Sequence, residues 1–253
     1  MFFFFRTYAY ILIAAAIIPA IILLKKVYTA DHLEPEPPAL IARLVIFGVI
    51  STYIALILEK IGLGILDSAD AAGKITADNQ YYFYEFFLIV GPAEEIAKYI
   101  MLRFKSWKDE NFNCQFDAIV YSVSVSLGFA LWENIRYVFS YGFGTALVRA
   151  ITAIPGHACF GVFMGVWYGV AKRQEVIGNH TASLLFRGVA IVCAALIHGA
   201  YDYLATVSDN VGNIAFIMFI VAMFFIALRS VKHLADKDRY LDPNDPNRTN
   251  VNL

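Results

Sequence analysis

The stretch Tyr82–Leu102, YFYEFFLIVGPAEEIAKYIML, decides the fold class. Its length suits a membrane crossing, which takes about 20 residues at a rise of about 1.5 Å each. Yet Glu94 and Glu95 stand side by side inside it. A charged side chain near the bilayer centre costs on the order of 3 kcal/mol even on a lenient scale, so such residues mark function by default. Glu133, His157, His198 and Asp202 lie in later apolar stretches. Together the six suggest one shared site.

Composition agrees with a membrane solvent. The 253 residues are 59% hydrophobic and 16% charged, with a mean hydropathy of +0.60. A soluble domain is about half apolar and about a quarter charged. The formal net charge is −1, and no basic stripe or binding motif points to nucleic acid. Cys114, Cys159 and Cys193 form neither a disulfide framework nor a CxxC metal pattern, and read as small apolar residues.

The fold class is all-α, a polytopic helical bundle of about seven spans. They fall at roughly 5–24, 40–59, 81–102, 116–140, 146–171, 184–205 and 212–231. The first is a retained span rather than a signal peptide, because Lys25-Lys26 follow it in place of a small-residue cleavage site. Glu59 and Lys60 cut the second short. Thr29–Pro38 and Asp67–Gln80 are polar loops. Residues 1–235 form the membrane domain, and 236–253 a polar, disordered tail. Lys25, Lys26, Arg103, Lys105, Lys108, Lys172, Arg173, Arg229, Lys232, Lys237 and Arg239 fall on one side. The positive-inside bias puts that side and the C-terminus in the cytoplasm, and the N-terminus outside.

The polar groups carry helical spacing. Gly91-Pro92 weakens the third span, since proline lacks an N–H and obstructs the i−4 carbonyl. Glu94 and Lys98 share a face, while Glu95 points about 100° away to another neighbour. Adjacent carboxylates in a low dielectric resist double ionisation, and one that can take up a proton is what a general base requires. Glu133 has Arg136 three residues on as a possible partner, with Asn134 beside it. His157, Gly161, Gly165 and Gly169 recur every four residues, a stripe that admits a close helix and turns the histidine towards it. His198 and Asp202 are spaced i,i+4, so the carboxylate can orient the imidazole.

Each acid taken singly has a bland reading as half of a structural ion pair. Asp117, Arg149, Lys172 and Arg187 read as end-of-span residues with snorkelling side chains, Asp117 also as a helix N-terminal acid. The aromatics, including Phe2–Phe5 and Tyr81-Tyr82, read as lipid-facing or interfacial. The joint occurrence of paired Glu, a third Glu and two His is harder to explain structurally. GxSxG, HExxH and the paired aspartates of presenilin-type proteases are missing. The remaining chemistry is water activation by Glu, with His or Asn stabilising an oxyanion, or by a divalent metal held by the same residues.

EEIAK at Glu94–Lys98, FALWE at Phe129–Glu133, PGHACFGVFMG at Pro155–Gly165 and HGAYD at His198–Asp202 resemble the PrsW family of intramembrane proteases. Asp117–Ala130, DAIVYSVSVSLGFA, is similar to that family's fourth helix, and the resemblance covers about residues 80–205. In the wider group of CAAX prenyl protease and bacteriocin-processing enzymes the second motif is FxxxH. Here it ends in Glu133, which favours the PrsW branch. The resemblance implies a protease of the bacterial inner membrane performing site-1 cleavage of a single-pass anti-sigma factor. Glu94 and Glu95 would be its catalytic glutamates and His198 its essential histidine, with Glu133, His157 and Asp202 completing the site. It leaves a glutamate-type and a metal-dependent mechanism open. The metal, such as zinc, would be held by Glu94, Glu133, His157 and His198. With no compact zinc-ligand pattern, the metal-free mechanism, needing no cofactor, is preferred. The competing expectation is a non-catalytic scaffold or a transporter using the same polar site.

Overall fold

A computed structural model describes residue 14, residues 17–207 and residues 209–242. Within these, α1 comprises residues 17–28 and is followed by α2 (Pro38–Ala71) and α3 (Asp78–Tyr84). A π-helical segment (Glu85–Val90) joins α3 to α4 (Gly91–Ser106). Then come α5 (Asp117–Tyr141), α6 (Phe143–Ile151), α7 (Ala153–Val176), α8 (His180–Thr206) and α9 (Asn210–Asp236). The expected helical bundle is present. Most of the expected first span and residues 243–253 of the tail lie outside the described residues.

Five described helices are long and apolar enough to cross a membrane: Pro38–Ala71, Asp117–Tyr141, Val148–Val176, His180–Thr206 and Asn210–Asp236. The expected third span maps onto α3, the π segment and α4, which follow one another without a break, none of them by itself as long as the five spans. The second helix does not stop at Glu59. It runs on to Ala71, 34 residues and about 51 Å in all, because Glu59 faces a cavity rather than lipid. Asn179 and Asp209 start α8 and α9 by accepting from the amides of Ala182 and Gly212.

The core is α5, whose residues Asp117–Ala130 are all buried. It packs against α2, α4 and α7, and α8 closes the ring against α4 and α7. Glycines set these crossings. A Cβ on Gly48 would strike the Val125 carbonyl, and one on Gly128 the Val45 carbonyl, so α2 and α5 touch backbone to backbone. On α7, a Cβ at Gly161 would lie 2.9 Å from Val123 Cα, at Gly165 2.7 Å from Ile119 Cα and at Gly169 2.8 Å from Gln115 O. The glycine stripe therefore meets a close helix, as its spacing suggested, and that helix is α5. The outer surface carries Ile46, Ile50, Ile57, Leu184, Ile217, Val221 and Phe225, all largely exposed, the signature of a lipid-facing wall.

The segments bearing the basic residues meet at one end. Lys172 Nζ donates to the Trp107 carbonyl (2.6 Å), the Gln115 amide donates to Arg239 O, and the Leu241 amide donates to Asn113 O (2.7 Å). This basic end gathers the ends of α1, α4, α7 and α9 and the start of α5.

Candidate active site

Six polar side chains that sequence spacing singled out converge from four helices, at the half of the bundle away from the basic end. Glu133 lies eight residues before the end of α5 and His157 four after the start of α7, about 12 Å and about 6 Å along their axes. Glu94 and Glu95 come from the first turns of α4, and His198 and Asp202 from α8.

Backbone proximity brings α4 and α8 together. A Cβ on Gly91 would lie 2.8 Å from Ala195 O and 3.1 Å from Gly199 N, and one on Gly199 2.8 Å from Phe86 O. The π turn at Glu85–Val90 sits directly before Pro92, whose missing N–H disrupts regular α-helical bonding. Irregular backbone at this depth is tolerated because α8 covers it.

Lys98 is the hub. Its fully buried ammonium donates to Glu95 Oε1 (2.7 Å) and Glu94 Oε2 (3.1 Å), and lies 3.0 Å from His157 Nδ1. It also stands 4.0 Å from the centroid of the Phe129 ring. An ammonium has no acceptor, so His157 Nδ1 must accept from it. In neutral His157 the proton is then on Nε2, which donates to Glu133 Oε2 (2.9 Å). Arg149 Nη2 donates to the same Glu133 oxygen (2.6 Å), while Arg149 Nε donates to Asn134 Oδ1 (3.1 Å). The expected Glu133–Arg136 pair gives way to this arrangement, and Arg136 instead lines the cavity.

On the other side, Glu95 Oε1 also meets His198 Nδ1 at 2.8 Å. As an acceptor only, ionised Glu95 fixes a proton on that nitrogen. His198 Nε2 then faces Asp202 at 3.3 Å and Glu94 at 3.7 Å. The imidazole stacks on Phe160 at 4.4 Å between centroids, which holds its plane.

Glu94, Glu133, His157, His198, Asp202 and Arg149 line one cavity of about 410 Å³. Glu95 and Lys98 do not reach it. The cavity extends past Tyr137 to Ser140 and Tyr141, the last turn of α5, and Glu59, Glu85 and Arg136 also line it. Sequence reasoning passed over Arg149, taken for an end-of-span residue, and Glu59, taken for a span terminator; neither lies in a periodic motif. The i,i+4 spacing did flag Lys98, though not its third contact with His157.

The donor chemistry suits a divalent metal. Ligand atoms of Glu94, Glu95, His157 and His198 all lie within 4.8 Å of one another, so Glu95 stands where Glu133 was expected. The Lys98 ammonium already holds a cationic position among three of them, and a metal ion would require it to withdraw.

The sequence pattern of the PrsW family of intramembrane metalloproteases matches residues 36–228. The chain is 31% identical over 223 residues to a protein named Protease PrsW from Geobacillus kaustophilus, covering 87% of this chain and 91% of that one. It is 30% identical to Protease PrsW of Bacillus subtilis over 87% of this chain and 94% of the relative. With the Halalkalibacterium halodurans protein of the same name it shares 29% over 90% and 99%. No solved structure matches the chain.

Proposed function

Because the chain belongs to the PrsW family of membrane-embedded proteases, we propose that it hydrolyses a peptide bond in the cavity between α4, α5, α7 and α8, with Glu94 as general base. The observation that carries this reading is the division of labour between the paired glutamates. Glu94 reaches the cavity, whereas Glu95 is fully buried behind it and spends one oxygen on Lys98 and His198. Glu94 is placed to take a proton from a water attacking the peptide carbonyl. His198 Nε2, facing both Glu94 and Asp202, is placed to receive that proton from Glu94 and pass it to the leaving amine. Arg149 lines the cavity with guanidinium N–H groups beyond those it gives to Glu133 and Asn134, and is placed to stabilise the developing oxyanion. The preorganised ion pairs require little rearrangement as charge moves.

The substrate in this reading is a single-pass membrane protein of the anti-sigma factor class, cut at site 1. A cavity that ends near the last turn of α5 suits a bond close to one membrane face. With the basic end cytoplasmic, that face is the outer one, the C-terminus is inside, and the membrane is the bacterial inner membrane.

A second reading is favoured by the donor set itself. Glu94, Glu95, His157 and His198 would hold a zinc-class ion that polarises the carbonyl and activates water. In both readings this chain's residues orient the substrate and move the proton. The test is cleavage of candidate single-pass substrates in proteoliposomes, wild type against Glu94→Gln. Equal product from a correctly folded variant would reject Glu94 as the base. Solute flux without peptide products would instead mark a transporter.

A further inference from the structure

A second cluster of acids lies at the basic end, about 24 Å along α5 from Glu133. Asp31 and Glu36 come from the loop between α1 and α2, Asp117 from the first turn of α5, and Asp238 from just past α9. One carboxylate oxygen from each of Asp31, Glu36 and Asp117 falls within 4.8 Å of the others. These three residues are 4%, 3% and 0% exposed. Both oxygens of Asp31, Oε2 of Glu36 and Oδ1 of Asp117 are buried without a well-formed hydrogen bond, as is Oδ2 of Asp238; the Leu33 and Glu34 amides face Asp31. The amides of Asn113 and Cys114 satisfy only Asp117 Oδ2. The fully buried Tyr121 hydroxyl faces Glu36.

Buried carboxylates cost several kcal/mol each unless paired or coordinated, and most native ones are satisfied. Burial, with neighbouring acids adding to it, pushes the carboxyls of Asp31 and Glu36 up. Oxygens bound to one calcium ion lie about 2.3–2.6 Å from it, and those bound to magnesium closer still. Their mutual separations then fall at or below about 5 Å, as found here.

We infer that Asp31, Glu36 and Asp117 form a binding site for a hard divalent cation, magnesium or calcium, which ties the α1–α2 loop to the start of α5. The site is independent of the protease chemistry. Asp238 closes its rim from the segment after α9, where its Oδ1 accepts from the Phe116 amide (2.8 Å). The cation would add a tie among three segments that already meet through loop hydrogen bonds, Asn113 Nδ2 to Glu34 Oε2 and the Gln115 amide to Arg239 O.

The test uses the full chain in detergent, stripped by chelation and titrated separately with Mg²⁺ and Ca²⁺. Thermal unfolding and tyrosine-sensitised Tb³⁺ luminescence, competed by each cation, report binding. A saturable rise in Tm of several degrees is expected, with the tighter competitor naming the occupant. Glu36→Gln and Asp31→Asn/Glu36→Gln should weaken apparent affinity at least tenfold, whereas Glu94→Gln should leave it unchanged. No response of the wild type to millimolar cation would overturn the site and leave the acids holding protons. An undiminished response in the double variant would place the cation elsewhere.

Discussion

His198 Nδ1 lies 2.8 Å from Glu95 Oε1, a contact between residues 103 apart in the chain. It sets the imidazole's orientation and leaves Nε2 for Asp202, Glu94 and the cavity. Glu95→Gln keeps the shape and one acceptor oxygen but removes the negative charge that Oε1 presents to both Lys98 and His198. Cleavage should fall by about 10²–10⁴-fold for Glu94→Gln, the usual range for a lost general base. Glu95→Gln should lose activity together with thermal stability, because its side chain holds the hub without touching the cavity. Initial rates beside melting curves separate the two. Equal melting losses in both variants would argue against the division of roles.

Lys98 is fully buried between two carboxylates and a histidine. Removing one partner of a buried pair leaves uncompensated charge, at about 3–5 kcal/mol. Lys98→Met should therefore destabilise the protein by about that much, though the thioether packs well on Phe129. Equilibrium unfolding in a fixed detergent measures it. A loss below about 1 kcal/mol would show that Lys98 is not the counter-charge of the pair.

Much of this site was legible from spacing. Paired Glu, HxxxD and the glycine stripe work within single helices, where period 3.6 fixes which groups share a face. The stripe also signalled a close helix, because small residues on one face admit a neighbouring backbone, but did not say that the neighbour is α5. Arg149 was not legible, since its helix, α6, breaks from α7 at Thr152 and folds back against α5. Glu59 was hidden because hydropathy treats every charge as a span end, even one turned inward. The acids at the basic end come from loops up to about 200 residues apart, and no local period connects them.

Arg149 binds Glu133 at 2.6 Å and Asn134 at 3.1 Å, with its guanidinium 3.9 Å from the centroid of the Tyr137 ring. Arg149→Gln should reduce cleavage at least tenfold while melting falls only modestly, since the pair is partly exposed to the cavity. A double-mutant cycle with Glu133→Gln should be strongly non-additive, because both changes break one contact. Additive losses would mean that Arg149 acts away from Glu133.

Chelation separates the two catalytic readings. With Lys98 as the resident cation, turnover should survive verified removal of bound metal by phenanthroline. A loss restored by zinc would establish the metal-dependent mechanism and require Lys98 to move. Elemental analysis of the stripped protein has to accompany the rate, as must the separate response of the acidic cluster to magnesium and calcium.

Two glycines test how far backbone contact builds the site. A Cβ at Gly165 meets Ile119 Cα at 2.7 Å and Ala118 O at 2.9 Å, backbone atoms that cannot move aside like a side-chain tip. Gly165→Ala should cost about 1–3 kcal/mol by overpacking. It should also lower cleavage, because displacing α7 draws His157 from Glu133, and trimming the Ile119 side chain should not restore either. Gly188, in the middle of α8, has open space around its would-be Cβ. Gly188→Ala should raise stability by about 0.5–1 kcal/mol through helix propensity alone, with cleavage unchanged. Opposite responses on the melting curve, from the same added methyl group, are the result that ties the α5–α7 crossing to the chemistry.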